Sequence, residues 1–190
     1  MAHDGELTVV ILAGGQAARF PGKLEARLNG RPLLARVHAN LRDAAPVVIA
    51  GRDTFSPELD SELDCPIVVD RWPGRGPLAG LLSACTQIRT PLIFAVAGDA
   101  PHVDRRVLDA LLAARHDGDE AVGPEHDGSL EPRAALYDRA ALEREAWSAL
   151  DGRASMFALL ERLRVRTVAL DAHFFANINT AADLAMEGSS

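Results

Sequence analysis

An apolar segment that runs into a glycine-rich loop is the part of this sequence best suited to chemistry. Residues 9–12 are four large or β-branched apolar residues, typical of a buried strand, and Gly14 and Gly15 follow after one alanine. Because glycine has no Cβ, backbone N–H groups in such a loop can approach an anion closely. Arg19 adds a planar guanidinium and Lys23 a compact ammonium, and both bind phosphate oxygens. The loop predicts a phosphate site; the alternative is a strand-to-helix turn with unrelated surface cations.

The loop matches neither of the two commonest phosphate-binding patterns. A Walker A motif places four residues between its first glycine and Gly-Lys-Ser/Thr, but Gly15 lies too far before Gly22, and Leu24 follows the lysine. The hydroxyl that would hold magnesium is therefore missing. A dinucleotide fingerprint requires Gly-x-Gly-x-x-Gly, whereas these glycines are adjacent. This spacing disfavours both a P-loop enzyme and a dinucleotide-dependent oxidoreductase.

Asp99 is the first candidate metal ligand. It follows the apolar run at residues 92–97 and Gly98, so its carboxylate is predicted at the end of a buried strand, where open α/β sheets bind ligands. Mg²⁺ commonly takes one or two carboxylates and fills its other positions with water and phosphate oxygens. One aspartate at this place is enough for a magnesium site. The alternative is an Asx turn before Pro101.

Asp70 ends a second predicted strand at residues 67–69 and opens a loop rich in glycine and proline, residues 71–80. Such a loop brings backbone groups close to a base or ribose, and Pro77 suits the first turn of a helix. The Asp70 carboxylate can accept hydrogen bonds from a base or a ribose hydroxyl; the alternative is a solvated acid at the start of a loop. Trp72 is interpreted as a packed anchor for the loop.

Two amides near the end of the chain form a third candidate site. Asn177 and Asn179 flank Ile178, so in an extended segment both amides point to one side and the isoleucine to the other. Two amides on one face can bind a polar heterocycle. The alternative is that they stabilise a turn before a helix.

Composition limits the class of protein. The 190 residues contain 48% hydrophobic and 25% charged residues, ordinary values for a globular protein, with a net charge of −7. That charge disfavours a broad nucleic-acid surface. No apolar run approaches the roughly 20 residues of a membrane helix, and the acidic first residues resemble neither a secretory signal nor a transit peptide. We expect a cytoplasmic protein without membrane contact, and expect Cys65 and Cys85 to be reduced core thiols.

Strand-like and helix-like segments alternate along most of the chain, a pattern that predicts a mainly parallel sheet with helices on both faces. In the first part we predict strands at 8–13, 46–50, 67–69 and 92–97, and helices at about 33–42, 78–88 and 104–116. Beyond residue 118 we predict a short strand near 121–122, strands at 133–137 and 165–170, and helices around 140–150 and 155–163. Thr180 and Asp183 resemble a capping box before a short last helix. Residues 118–128 are the best candidate for a mobile loop.

These motifs, in this order, resemble those of the molybdenum cofactor guanylyltransferase family, and the resemblance spans nearly the whole chain. The matching segments in this sequence are residues 12–15, Arg19, Lys23, Asp70, residues 76–80, residues 98–101 and residues 177–180. The resemblance implies a three-layer, Rossmann-like nucleotidyltransferase fold in one domain, 1–190, with a nucleotide-binding half at about 6–117 and an acceptor-binding half at about 118–190. The implied reaction is Mg²⁺-dependent transfer of GMP from GTP to molybdenum-molybdopterin, which yields molybdopterin guanine dinucleotide and pyrophosphate.

The resemblance also implies a role for each matching residue. Arg19, Lys23 and Asp99 would be catalytic, Asp99 would bind the magnesium, and Asn177 and Asn179 would contact the acceptor. The implied nucleotide-binding residues are Leu12, Ala13, Gly14, Gly15, Lys23, Gly51, Asp70, Gly80 and Asp99. Transient contact with other cofactor-synthesis proteins or with apo-molybdoenzymes is a further expectation.

Two features depart from the family pattern. The loop between Arg19 and Lys23 is shorter than usual and lacks the aspartate that usually precedes the lysine, and Gly51 stands where the family often has an asparagine facing guanine. Two alternatives therefore stay open. One is a related enzyme that uses CTP or makes a nucleotide sugar, and the other is a non-catalytic module that binds a nucleotide or the cofactor.

Overall fold

A computed structural model describes residues 5–14, 20–52, 54–126, 128–151, 155–178 and 180–187. Its strands are short apolar segments separated by loops rich in glycine, proline and aspartate, as expected for a sheet covered by helices. They are β1 (Leu7–Leu12), β2 (Arg27–Leu28), β3 (Arg31–Pro32), β4 (Val47–Gly51), β5 (Ile67–Val69), β6 (Leu92–Ala97), β7 (Ala121–His126), β8 (Ser129–Leu130), β9 (Ala134–Asp138) and β10 (Val165–Ala169).

Four of the helices begin either at a residue whose side chain accepts a hydrogen bond from the first turn or at a proline, which has no N–H group. Ser56, Asp104 and Ser155 accept hydrogen bonds from the first turns of three helices, and Pro77 begins another. The helices are α1 (Leu33–Leu41), α2 (Pro57–Asp60), α3 (Pro77–Cys85), α4 (Arg105–Ala114), α5 (Arg139–Asp151), α6 (Met156–Leu160) and α7 (Ala181–Glu187), with 3₁₀ turns at Lys23–Glu25 and Ala172–Phe175.

The main sheet has the strand order β10-β7-β9-β6-β1-β4-β5, and β8 pairs with β7. Strands β6, β1, β4 and β5 are parallel neighbours, with Leu12 opposite both Ala50 and Ala97. Strand β9 runs antiparallel to β6 and to β7, while β10 is parallel to β7. The beginning of β9 therefore lies at the same edge of the sheet as the carboxyl end of β6.

Apolar side chains alternate between the two faces of this sheet, as the two-residue period of a strand requires. Val9 and Ile11 of β1 belong to one buried cluster with α1, α2 and α4. Val10 and Leu12 belong to a second cluster with α3, α5 and α6. The predicted α/β architecture, a mainly parallel sheet with helices on both faces, is confirmed.

Most predicted elements are present within a few residues of their predicted ends, and the strands at 67–69 and 92–97 have the predicted bounds. The capping box is also confirmed, because the Thr180 N–H donates to Asp183 Oδ2 at 2.9 Å and the Asp183 N–H donates to Thr180 Oγ1 at 3.1 Å. The prediction of a mobile loop over 118–128 is wrong for 121–126, which form β7. Val122 of this strand pairs with both Arg166 and Leu136. Strands that are distant in the sequence therefore hold this segment in the sheet, although its composition suggests a loop.

An acidic side chain secures the start of β7. The carboxylate of Glu120 accepts from the Arg164 N–H at 2.9 Å and from the Arg144 guanidinium at 2.6 Å. The Arg164 N–H is the largest cause that holds the pKa of Glu120 below its ordinary value. This cluster joins β7 to β10 and to α5, so it helps to order the second half of the sheet.

Both cysteines are free thiols, as predicted. Cys85 is the buried last residue of α3, and Cys65 is partly buried before β5. Burial raises the pKa of Cys65 to about 11 and that of Cys85 to about 12, so both thiols are protonated at neutral pH. In the part of the chain that the structure describes, every helix is too short or too polar to cross a membrane.

Candidate functional site

A cavity of about 790 Å³ opens at the carboxyl ends of β1, β4, β5 and β6. This is the edge at which parallel α/β sheets bind ligands, because loops and helix N-termini converge there. Side chains and backbone from four separate parts of the chain share its wall. The predicted site residues that line it are Leu12, Ala13, Gly14, Lys23, Gly51, Asp70 and Asp99.

Two glycines form the floor of the cavity by letting β1 and β4 approach closely. The Ala13 N–H donates to the Ala50 carbonyl at 2.8 Å, so the chain stays paired just past β1. A Cβ on Gly51 would lie 2.5 Å from the Gly14 nitrogen, well inside any real contact. Only glycine fits at position 51, and the Gly14 backbone remains at the cavity surface as a result.

Lys23 and Asp99 meet in this cavity. Lys23 begins the 3₁₀ turn that follows Gly22, and its Nζ forms an ion pair with Asp99 Oδ2. Both side chains are largely buried, with 14% and 11% of their surfaces exposed. Lys23 and Asp99 neutralise each other at a ligand-binding edge of the sheet. When a phosphate and its metal counterion enter, the ammonium can bind the phosphate and the carboxylate can bind the metal.

The backbone around Asp99 is fixed from three sides. The Gly98 N–H donates to the Leu12 carbonyl at 3.0 Å and joins this turn to β1. The Ala100 N–H donates to the Ala97 carbonyl at 3.2 Å, and the Ile178 N–H donates to the Asp99 carbonyl at 3.2 Å. The backbone that carries the Asp99 side chain is therefore held in place by strands β1 and β6 and by the segment that carries the predicted acceptor-binding amides.

The Asp70 carboxylate is held by a hydrogen bond from its own loop and is not freely solvated. Its N–H donates to the Gly51 carbonyl at 2.7 Å, and its Oδ1 accepts from the Trp72 N–H at 2.9 Å. Oδ2 faces Gly14 across the cavity, 4.0 Å from where a Cβ on that glycine would be. The carboxylate therefore has one oxygen engaged by its own loop and one directed towards Gly14 at the cavity floor.

Ser83 supports this loop and was missed in the sequence. Its hydroxyl accepts from the Arg71 N–H at 2.9 Å and lies 3.3 Å from Asp70 Oδ1, while it donates to the Ala79 carbonyl at 2.8 Å. The side chain is fully buried in α3. In the sequence, Ser83 stands out only as a polar residue within an otherwise apolar helix. That pattern does not indicate which loop its hydroxyl binds.

The tryptophan of this loop is a packing anchor, as predicted. Trp72 contacts Trp147 of α5 edge to face, with ring centroids 4.9 Å apart. The Arg75 guanidinium donates to the Leu150 carbonyl. Both contacts attach the loop after β5 to the end of α5, so the wall that carries Asp70 rests on the second half of the chain.

Two predicted site residues within the described ranges, Gly80 and Asn177, are not among the residues that line this cavity. Gly80 lies inside α3 and packs against Ala50, with 3.7 Å between the position of an added Cβ and the Ala50 oxygen. The Asn177 amide donates to the Phe175 carbonyl at 3.1 Å. Gly15, Arg19 and Asn179 lie outside the described residues.

Two arginines of the cavity wall were not identified in the sequence. Arg52 pairs with Glu25 at 3.3 Å and lies over the Phe55 ring at 4.7 Å. Arg133 lies just before β9, where its carbonyl accepts from the Ala97 N–H at 2.8 Å. Strand direction brings Arg133 to the cavity, and no local pattern of residues indicates that β9 runs antiparallel to β6.

The side chains present fit one type of metal site. Across the described ranges, no group of three or more His, Cys, Asp or Glu side chains is placed to hold a metal ion. Asp99 presents a single, largely buried carboxylate to the cavity. One carboxylate suits a hydrated Mg²⁺ that completes its coordination with phosphate oxygens and water, so the residues fit an ion bound together with a phosphorylated substrate.

Comparison with known proteins places this geometry in a family. The model of the MobA-like NTP transferase domain matches residues 9–168, so the chain belongs to that family. A probable molybdenum cofactor guanylyltransferase of Deinococcus radiodurans is 35% identical over 94% of this chain and 92% of its own length. The molybdenum cofactor guanylyltransferase of Desulfosudis oleivorans is 29% identical, with the same two coverages.

A solved structure agrees with the sequence comparison. The molybdopterin-guanine dinucleotide biosynthesis protein A of Archaeoglobus fulgidus superposes with a TM-score of 0.76 at 26% identity, over 97% of each chain. The nucleotidyltransferase fold and the family predicted from the sequence motifs are therefore confirmed.

Proposed function

We propose that this protein transfers GMP from GTP to molybdopterin, forming molybdopterin guanine dinucleotide and releasing pyrophosphate. The observation that carries the proposal is the cavity in which Lys23, Asp99 and Asp70 share one wall, in a chain of the MobA-like NTP transferase family. Its relatives named as molybdenum cofactor guanylyltransferases match nearly the whole chain. The enzyme is a nucleotidyltransferase of molybdenum cofactor biosynthesis.

The nucleoside occupies the β4 and β5 side of the cavity. Gly14 and Gly51 leave room for a flat ring or a ribose to approach the backbone, and Asp70 accepts hydrogen bonds from its N–H or O–H groups. The residues proposed to contact the nucleotide also include Leu12, Ala13, Gly15 and Lys23. Gly51 provides no side chain to read the base, so selectivity for guanine depends on backbone groups and on Asp70.

The chemistry requires alignment and charge stabilisation more than a nucleophile from the protein. A phosphate oxygen of the acceptor attacks the α-phosphorus of GTP, a new P–O bond forms, and the bond to the β-phosphate oxygen breaks. Negative charge accumulates on the departing pyrophosphate. Lys23 neutralises that charge from the cavity wall, where a largely buried cation is more effective than one in solution. Arg19, four positions earlier in the sequence, is proposed to add a second positive charge.

We assign Asp99 as the protein ligand for Mg²⁺, which supplies charge neutralisation at the phosphate oxygens when it is bound. The ion pair with Lys23 keeps the Asp99 carboxylate compensated in the absence of substrate. When the triphosphate is bound, Lys23 has phosphate oxygens as alternative partners. The exchange requires no proton transfer at either side chain.

The two parts of the chain have separate tasks in this scheme. The part at about 6–117 binds the nucleotide, and the part at about 118–190 binds the acceptor, within one domain. Asn177 and Asn179 contact the pterin side, which the hydrogen bond from the Ile178 N–H to Asp99 supports by holding this segment near the metal ligand. The reaction takes place in the cytoplasm, without nucleic acid or membrane, and involves transient contact with cofactor-synthesis proteins or apo-molybdoenzymes.

Product formation tests the proposal. The protein is incubated with molybdopterin, Mg²⁺ and each of GTP, CTP and UTP, and both pyrophosphate and the dinucleotide are measured. GTP should support the reaction, and Asp99→Asn should lower its rate by about hundredfold or more. Asp117→Asn, which removes an exposed carboxylate outside the cavity, should leave the rate unchanged.

Each alternative predicts a different result. Preference for CTP or UTP would show that the protein belongs to another branch of nucleotidyltransferases. Tight binding of GTP and molybdopterin without pyrophosphate release would indicate a non-catalytic binding module. Equal rates for Asp99→Asn and Asp117→Asn would refute the assignment of Asp99.

A further inference from the structure

Arg133 is the feature of the cavity that the scheme above does not use. It is partly buried, it precedes β9, and it lines the same cavity as Lys23 and Asp99. The hydrogen bond between its carbonyl and the Ala97 N–H fixes its backbone beside the end of β6, two residues before Asp99. Arg133 is therefore placed by the sheet itself and not by a surface loop.

The other cations of the described cavity wall already have partners in the protein. Lys23 pairs with Asp99, and Arg52 pairs with Glu25 and covers the Phe55 ring. Within the described part of the chain, the Arg133 guanidinium has neither an ion pair nor a hydrogen bond. A partly buried guanidinium with five N–H donors and no partner among the described residues is suited to an anionic ligand.

Strand order indicates which anion this is. Along the cavity edge, Asp70 follows β5, Gly51 ends β4, Asp99 follows β6, and Arg133 precedes β9. Arg133 thus lies on the far side of Asp99 from the residues proposed to bind the nucleoside. The acceptor must approach from that far side, because the nucleoside fills the β4 and β5 side.

We infer that Arg133 binds the phosphate monoester of the acceptor and orients it towards the α-phosphorus of GTP; this inference rests on the proposed function. A guanidinium donates two parallel hydrogen bonds to two phosphate oxygens and leaves the third oxygen to attack. That oxygen forms the new P–O bond as the bond to pyrophosphate breaks. Arg133 is a binding and orienting residue with no proton-transfer role.

Steady-state kinetics with separate variation of the two substrates tests this assignment. Arg133→Gln should raise the KM for molybdopterin by about ten- to hundredfold, the usual effect of losing a charge-assisted contact, while the KM and Kd for GTP stay within about twofold. Arg133→Lys should fall between the wild type and Arg133→Gln, because it keeps the charge but loses the planar pair of donors.

Arg115→Gln is the matched control, since it removes the same charge from a partly buried position outside the cavity. It should leave both KM values unchanged. If Arg133→Gln leaves the molybdopterin KM unchanged, or raises the GTP KM instead, the assignment of Arg133 is wrong while the proposed function stands. If the wild-type protein forms no dinucleotide from GTP, the proposed function itself fails. Unchanged GTP affinity in Arg133→Gln also shows that the variant is folded.

Discussion

Gly51→Ala is the substitution for which the structure predicts the largest effect from a single methyl group. The new Cβ would lie 2.5 Å from the Gly14 nitrogen, 2.6 Å from the Ala13 carbonyl carbon and 2.9 Å from the Ala13 oxygen. Ordinary contact begins near 3.4 Å, so the two strands must separate by about 0.9 Å. All three contacts are with backbone atoms, which no rotamer change can relieve.

Separation at this point should disturb both stability and binding. The added methyl group would be packed too closely against the fixed backbone, and alanine is also strained at the positive φ of position 51. Together these effects should lower the free energy of unfolding by about 2–4 kcal/mol. Displacement of Gly14 from the cavity floor should weaken GTP binding by about tenfold or more. Urea unfolding measures the first effect, and isothermal titration with GTP measures the second.

Gly80→Ala provides the matched comparison. Its Cβ would have ordinary contacts, the nearest at 3.7 Å, and alanine favours a helix interior over glycine by about 0.5–1 kcal/mol. This variant should be as stable as the wild type or more stable, with unchanged affinity for GTP. Equal effects of the two substitutions would refute the reasoning, because they would show that the close approach of β1 and β4 does not control the cavity floor.

Two further predictions concern ionisable groups outside the cavity. The folded-state pKa of Glu120 lies below its unfolded value, so its carboxylate stabilises the fold above the unfolded pKa, and this contribution is lost as the pH falls through the folded pKa. Glu120→Gln should therefore lower the free energy of unfolding by about 1–3 kcal/mol at pH 7. In urea titrations, the difference in stability between the wild type and the variant should shrink below about pH 4. A constant difference from pH 7 to pH 3 would contradict this. The pKa values of about 11 for Cys65 and about 12 for Cys85 predict that neither thiol is ionised at pH 8. Both should react with Ellman's reagent at least about tenfold more slowly than free cysteine until the protein is denatured, and rapid labelling of either native thiol would show that its burial is not maintained.

The sequence predicts the first half of the fold, about residues 6–117, well because its signals are local. Apolar runs end at Gly14, Asp70 and Asp99, and parallel strands bring their carboxyl ends to one edge. The contact between Lys23 and Asp99 follows from that rule, although they are 76 positions apart in the chain. Strand ends in an α/β pattern are thus enough to identify most of the cavity.

The second half is less predictable because distant pairing decides it. Residues 121–126 look like a loop by composition, but β10, some forty positions later, and β9 pair with them. Arg133 becomes a cavity residue only because β9 runs antiparallel to β6. Strand direction and long-range pairing have no local signature in these residues, so the side of the cavity formed by β9 could not be assembled from the sequence.

A crystal structure of the protein with GTP bound would show directly whether this cavity holds the nucleotide. We expect the guanosine beside Asp70 and Gly51, with the triphosphate between Lys23 and Asp99 and the α-phosphate open towards Arg133. Density for the nucleotide outside this cavity, or a triphosphate that contacts neither Lys23 nor Asp99, would contradict it.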